Sequence, residues 1–420
     1  MPFDLSLPAV QFPLIGNSIA VGIPSMLHIV LAGLSVAFLL WAPLFEWRGL
    51  SAAHFTALAY GVTKFTVLVF SVSTVLAVIM VELLIGLFPV TTMWIWNQFR
   101  APIALASTAF LLQFAFLYPY YHYWEPIRRR SVRFHIILGL IAALLMLVWV
   151  AVLDGMGSYM LTPVSGETTW NNLWNPTWLS LALHRLIGEF VMAGYVIAAY
   201  GAWRLGRPDA SERREYYLFL MKIGWIGGFG ALLLQPLTGL IYASWIHQAA
   251  PDAYDQIVRG GYRLLAYLQF TLLALLMVGS YWLTKGTIPQ DRLSGRLDVA
   301  IPGVAVLMIA SVGHTAVRRA LLYLLVVLIL WALRPLFSNG GRRRLFTPPS
   351  LGPAMRPLAL ALGVLSILMY LTMGTIRETA RRPYTVRNLI SLQDEAEHSK
   401  ASRASVKNRE SVSLQTDTLE

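Results

Sequence analysis

Nine apolar runs of spanning length set the limits on how this chain folds. They fall near residues 25–45, 60–88, 101–118, 134–153, 178–203, 217–243, 262–284, 318–338 and 355–376. Each is close to the roughly 20 residues that cross a ~30 Å hydrocarbon core as a helix. Only 13% of the residues are charged and 57% are hydrophobic, against about 25% charged in a soluble domain. The expected fold class is therefore all-α, a polytopic transmembrane bundle with nine spanning helices or ten. The stretch 298–317, apolar but interrupted by Pro302 and His314, reads as a tenth crossing, a re-entrant segment or a loop buried in protein.

Lys and Arg outnumber Asp and Glu by 33 to 21. In a chain bound to the lipid bilayer this excess orients loops and does not mark a nucleic-acid partner, so no nucleic acid is expected. Basic residues cluster at Arg128, Arg129, Arg130 and Arg133, at Arg204, Arg207, Arg213 and Arg214, and at Lys285, Arg292 and Arg296. The positive-inside rule assigns those three loops to the cytoplasm of a bacterial cell. Asp154, Glu167, Asp252 and Asp255, with only Arg259 opposing, suit the outer side, and the N-terminus is then outside as well. Arg342, Arg343 and Arg344 are cytoplasmic only if 298–317 crosses. The segment MPFDLSLPAV lacks the basic region of a secretory signal, so the first apolar run is expected to remain as a spanning helix.

The chain has no cysteine, which excludes disulfides, thiolate-ligated iron–sulfur clusters and haem attached through C-x-x-C-H. Walker loops, G-x-G-x-x-G turns and H-E-x-x-H are also missing, so nucleotide chemistry has no support. Any redox cofactor must hang on His, Met or carboxylate.

Ionisable residues inside a spanning helix cost roughly 2.5–3.5 kcal/mol on insertion scales and so invite a functional reading. His54, His122 and His135 lie near helix ends, His247 in an outer loop and His398 in the tail, where interfacial or solvated roles suffice. His28 in IPSMLHIVLAGL and His184 in TWLSLALHRLIGEF lie within apolar helices. Such an imidazole is either hydrogen-bonded across helices or bound to a metal, and haem iron is a common partner. Gly188, one turn after His184, suits the approach of a porphyrin face or plain helix packing. Glu82 follows an apolar run, and Glu378, beside Arg377, Arg381 and Arg382, ends the last one. That cluster reads either as a surface salt-bridge group or as a carboxylate ligand with guanidinium partners for haem propionates. Trp94, Trp96, Trp124, Trp170, Trp174 and Trp178 are expected at the membrane interfaces.

In NPTWLSLALHRLIGEFVMAGYVIAAYGAWRLGR, the chain resembles subunit I of the cytochrome bd quinol oxidases. Asn175-Pro176, His184, Ala202 and Trp203 stand at that family's spacing. VELLIGLFPV, FRAPIALAS, LDGMGSYMLTP and the helix with His28 also look like family counterparts, and IRETARRPY is similar to its Glu/Arg/Pro-aromatic motif. The resemblance covers roughly residues 10–285 and 355–385. It implies His184 as a ligand of low-spin haem b, and His28 and Glu378 as ligands of further haem iron. Arg381 is then the motif's arginine, and Arg263 matches the arginine that precedes the family's axial Met.

Departures accompany the match. Leu265 stands where the family has that Met, so either Gln269 or another side chain substitutes, or that haem is five-coordinate or lost. Ala106 and Phe114 replace two glutamates of the family's proton path, with Gln113 adjacent. The quinol-binding loop is reduced to about 245–260, and an apolar segment is inserted at 298–338.

The resulting expectation is an N-terminal segment 1–24, a seven-helix haem-binding core over 25–285, an inserted segment 286–353 with one or two membrane helices, a last helix with the Glu/Arg motif over 354–385, and a solvated polar tail 386–420. The implied function is that of a haem-b electron-transfer subunit with one to three haems b, or a chlorin-type haem d among them. Its implied partners are other membrane subunits of a respiratory complex, with quinol or a c-type cytochrome. An active quinol oxidase and a haem-free transporter are the alternatives.

Overall fold

The structure, a computed structural model, describes residues 10–164, 169–285, 292–311, 313–337 and 354–401. Glu167, Arg342, Arg343, Arg344, the first nine residues and the tail beyond 401 lie outside them. The described residues are almost wholly helical: α1 (Asn17–Gly49), α2 (Ala53–Leu87), α3 (Pro89–Gln98), α4 (Arg100–His122), α5 (Trp124–Arg130), α6 (Val132–Tyr159), α7 (Thr169–Leu173), α8 (Trp178–Arg204), α9 (Arg214–Ala249), α10 (Pro251–Val258), α11 (Arg263–Lys285), α12 (Arg292–Ala310), α13 (Thr315–Leu333) and α14 (Met355–Ala380). Nine of them are long and apolar enough to cross a membrane, and each coincides with one of the nine apolar runs. The helices mostly outrun the apolar windows because a helix continues into the polar interface until a cap or turn stops it.

The chain divides into two compact units. The first comprises residues 1–35, 64–181 and 380–420. Its core joins Phe99, Val152, Tyr159 and Leu173 to Val386 and Ile390, the last two from a hairpin of β1 (Tyr384–Val386) and β2 (Ile390–Ser391). Four sequence expectations are corrected here. His135 is not interfacial: it is fully buried, its Nε2 lies 2.9 Å from the Tyr120 carbonyl, and Tyr120 and Trp124 pack on its ring. Trp124 is likewise buried, and so is Asp154, because α6 runs on to Tyr159 and carries Asp154 within it. The tail is not solvated from residue 386 onward. The Arg387 N–H donates to the Met160 carbonyl at 2.9 Å, and residues 392–401 form a helix whose Glu395 is buried. That carboxylate accepts from the N–H groups of Val90 and Thr91 at 3.2 and 2.7 Å, two orphan donors at the N-terminus of α3.

Two motifs singled out in the sequence meet in the same unit. The Asn175 amide donates to the Gly155 carbonyl at 3.0 Å and to Ser158 Oγ at 2.9 Å, while Thr162 Oγ1 donates to Asn175 Oδ1 at 3.2 Å. The Asn-Pro motif thus ties the irregular end of α6 to the entry of α8, satisfying buried backbone that has no water to turn to.

The second unit comprises residues 36–63 and 182–379. Its α8 and α9 touch backbone to backbone: a Cβ on Gly194 would lie 2.3 Å from the Gly228 nitrogen, the close approach that small residues allow between membrane helices. In the inserted segment the described residues form the helices α12 and α13. Asp298, in the second turn of α12, accepts from Tyr281 at 2.8 Å and Lys285 at 2.5 Å, at the C-terminal end of α11. Past the other end of α12, the Gly313 N–H donates to the Tyr267 hydroxyl at 2.8 Å, near the start of α11. From Tyr267 to Lys285 the helical rise is roughly 27 Å, so α12 runs antiparallel to α11 for nearly a membrane's thickness. Residues 298–317 are therefore most of α12, a turn and the start of α13. Arg296 and Asp298 sit within α12.

Candidate functional site

His184 lies in the second turn of α8, and α9 lays one face against it. Gln235, Thr238, Gly239 and Tyr242 recur at i, i+3, i+4 and i+7, which places them on a single stripe. His184 Nδ1 is 3.1 Å from Thr238 Oγ1, and that hydroxyl donates its own proton to the Gln235 carbonyl at 3.1 Å. With the hydroxyl proton on that carbonyl, Oγ1 accepts from the imidazole, an assignment that puts the ring proton on Nδ1 and leaves the Nε2 lone pair facing the Gln235 amide. Gly239 gives the ring its room, since a Cβ there would lie 3.1 Å from His184 Cε1. Tyr242 stacks at 5.9 Å between ring centroids. Gln235 Nε2 lies 3.3 Å from both ring nitrogens and donates to the His184 carbonyl at 3.2 Å. The Gln235 Oε1 atom is buried without a partner among the described residues.

The neighbouring turn carries residues that the sequence reading passed over. Arg185 pairs with Glu189, which is fully buried and also accepts from the Tyr370 hydroxyl at 3.3 Å. An Arg and a Glu four apart inside an apolar helix was the available signal. Around Gly188 the space is shared by Gln235 and by Tyr370 and Met373 of α14.

His28, in the first unit, is held in the same manner. Its Nδ1 lies 2.9 Å from the Ser73 carbonyl and 3.0 Å from Ser73 Oγ. Because a carbonyl only accepts, the Nδ1 proton is again fixed and Nε2 is again left with its lone pair.

The remaining candidates are scattered. Glu82 is exposed near the end of α2, and Arg263 is exposed at the start of α11. Glu378 is exposed in the last turn of α14, whereas Arg381 donates to the Thr385 carbonyl at 2.5 Å. Leu265 brings no donor atom, and Gln269 is engaged by the Thr372 hydroxyl. His28, Glu82 and Arg381 belong to the first unit, and His184, Arg263 and Glu378 to the second.

A haem can be tested against these residues. On the His184 side they fit: an imidazole with its proton directed away from Nε2, small residues beside it and an orphaned amide oxygen. At Leu265 they supply no second ligand. Nine long apolar helices, with two imidazoles each held at Nδ1 among them, define a multi-pass membrane protein.

The cytochrome bd terminal oxidase subunit I family matches residues 18–254, and the chain belongs to that family. The fold is similar to that of a chain in the structure of bd oxidase from Geobacillus thermodenitrificans, at 15% identity and a TM-score of 0.53, over 87% of this chain and 98% of that one. No curated protein sequence matches it.

Proposed function

We propose that the protein is a haem-b-binding electron-transfer subunit of a respiratory complex in the bacterial cytoplasmic membrane, with its N-terminus on the outer side. The observation that carries this reading is the pair of mid-helix histidines whose Nδ1 protons are held by Thr238 and Ser73. Ligating histidines almost always spend the other ring N–H in this way, which fixes ring orientation and raises ligand basicity. A haem bound there supplies one-electron transfer. His184 would hold the low-spin haem b, and His28 and Glu378 would hold further haem iron, while Arg263 and Arg381 stand at the arginine positions of the family's motifs. Quinol or a c-type cytochrome is the donor, and other membrane subunits complete the complex.

Several features favour retained electron transfer over oxygen reduction. Ala106 is buried in the core. Phe114 packs against Phe70 and Phe110 at 5.1 Å each, filling with aromatic rings the place where the resemblance puts a glutamate. Gln113 accepts from Trp149 at 2.6 Å, and an amide cannot exchange a proton as a carboxylate does. The family itself favours the second reading, an active quinol oxidase. Reduced-minus-oxidised spectra and haem extraction of the purified protein test the cofactor. A b-type band is expected in the wild type and its loss in His184→Ala; a folded protein without pigment overturns the proposal in favour of a haem-free transporter.

A further inference from the structure

We infer that the cleft formed where α9 ends, α10 lies and α13 begins binds a phosphate-bearing anion, and that a phospholipid headgroup is its source. The cleft has a volume of about 420 Å³ and is lined by Ser244 and His247 of α9, Tyr254 of α10 with Arg259 just beyond it, and Thr315 and Arg319 of α13. No carboxylate is among its lining residues. The Arg319 guanidinium meets the Tyr254 hydroxyl and lies 5.5 Å from that ring, neither of which carries a counter-charge. Arg259 pairs with Asp255 at 3.4 Å, but their side chains are 80% and 52% exposed, so this pair is weak and leaves Arg259 available.

The helix itself calls for an anion. Arg318 and Arg319 both stand in the first turns of α13, where the macrodipole is positive and cations are disfavoured. His314 precedes that turn without a side-chain cap. Arg318 is fixed by packing, 4.3 Å from the Tyr267 ring and 5.1 Å from that of Phe270, and donates to the Ser311 carbonyl at 3.1 Å. Orientation does not explain these arginines either, because the charge distribution assigns this end to the outer side, where the positive-inside rule disfavours them. Arg, hydroxyl and imidazole donors converging on one cavity suit a phosphate, which offers several acceptor oxygens and a full charge.

The apolar surface next to the cleft identifies the source. On α9, Leu237 and Ile241 share the helical face of Ser244, and on α13 Leu324 and Val327 share that of Ala316; all four are exposed. A free anion makes no use of such a seam, whereas the acyl chains of a phospholipid lie along it.

The test is a lipid titration of the purified full-length protein in detergent, read by native mass spectrometry. Phosphatidylglycerol is the probe, diacylglycerol is its counterpart without phosphate, and inorganic phosphate is the soluble arm. Saturable phosphatidylglycerol binding is expected, weakened at least tenfold by Arg319→Gln with Arg259→Gln and unchanged by Arg129→Gln in α5. Arg259→Gln alone, at an exposed side chain that does not bear on folding, should weaken binding severalfold. Equal binding of diacylglycerol, or undiminished binding by the variants, overturns the site. Saturation by inorganic phosphate through the same arginines, without phosphatidylglycerol binding, upholds the anion site and overturns the lipid as its source.

Discussion

Glu395 and Thr91, 304 residues apart, are joined by two hydrogen bonds: the carboxylate accepts from the Thr91 N–H at 2.7 Å and from its hydroxyl at 2.6 Å. The acceptor that caps α3 is thus supplied from the far end of the chain. Hydrogen bonds to charged groups contribute roughly 1.5–3 kcal/mol, so Glu395→Ala is expected to destabilise the first unit by about that much. Amide hydrogen exchange over residues 89–98 should accelerate at least tenfold, and unchanged protection there would refute the cap.

Thr238 holds the His184 ring without touching the position a metal would take. Thr238→Val removes the acceptor for Nδ1–H while keeping the side chain's shape. The expected result is a retained b-type pigment whose affinity falls by roughly 10–100-fold, the usual cost of losing an outer-shell partner. Haem retention measured against added apo-myoglobin checks it; wild-type retention would show that Thr238 is a packing residue only.

The antiparallel run of α12 along α11 predicts opposite exposure for residues close in sequence. A cysteine at His314 should react with an impermeant maleimide added outside intact cells, and one at Lys285 only after permeabilisation. A cysteine at Ser131 should behave like the one at Lys285. Labelling of His314→Cys and Lys285→Cys from the same face would remove the crossing.

Oxygen reduction consumes four protons per oxygen molecule, and a bare charge does not cross ~30 Å of hydrocarbon unaided. With Ala106, Phe114 and Gln113 on that route, quinol-driven oxygen uptake by the intact complex is expected to stay well below ordinary enzyme rates. Cyanide-resistant turnover of order 10–1,000 per second would restore the oxidase reading.

Ser391 and Asp394 form a capping box on the helix at 392–401: Asp394 accepts from the Ser391 N–H at 2.7 Å, and its own N–H donates to Ser391 Oγ at 3.1 Å. These bonds hold the Asp394 carboxyl below its ordinary value near 3.8. A lowered pKa means that the cap is in force above that value and is lost as pH falls through the folded one. Protease resistance of this segment should therefore decline below about pH 4, and Asp394→Asn should flatten that dependence. An unaltered acid profile in the variant would assign the loss to other groups.

Sequence by itself determined the nine long helices, because only a helix can carry 20 apolar residues through lipid with its backbone satisfied. It also marked His28 and His184, since a polar ring in such a run stands out without knowledge of its neighbours. The capping box at Ser391 was passed over, because the polar composition around it reads as a solvated tail. What completes the candidate site was not legible. Gln235, Thr238 and Gly239 become the wall of His184 only once Gly194 and Gly228 let α8 and α9 touch. His135 looks interfacial until Tyr120 and Trp124 close over it, and 298–317 stays open among three readings until Asp298 finds Lys285 and Tyr281. Local hydropathy measures a segment against lipid. Tertiary structure replaces lipid with a particular neighbour, and whether a polar group is costly or satisfied depends on which neighbour that is.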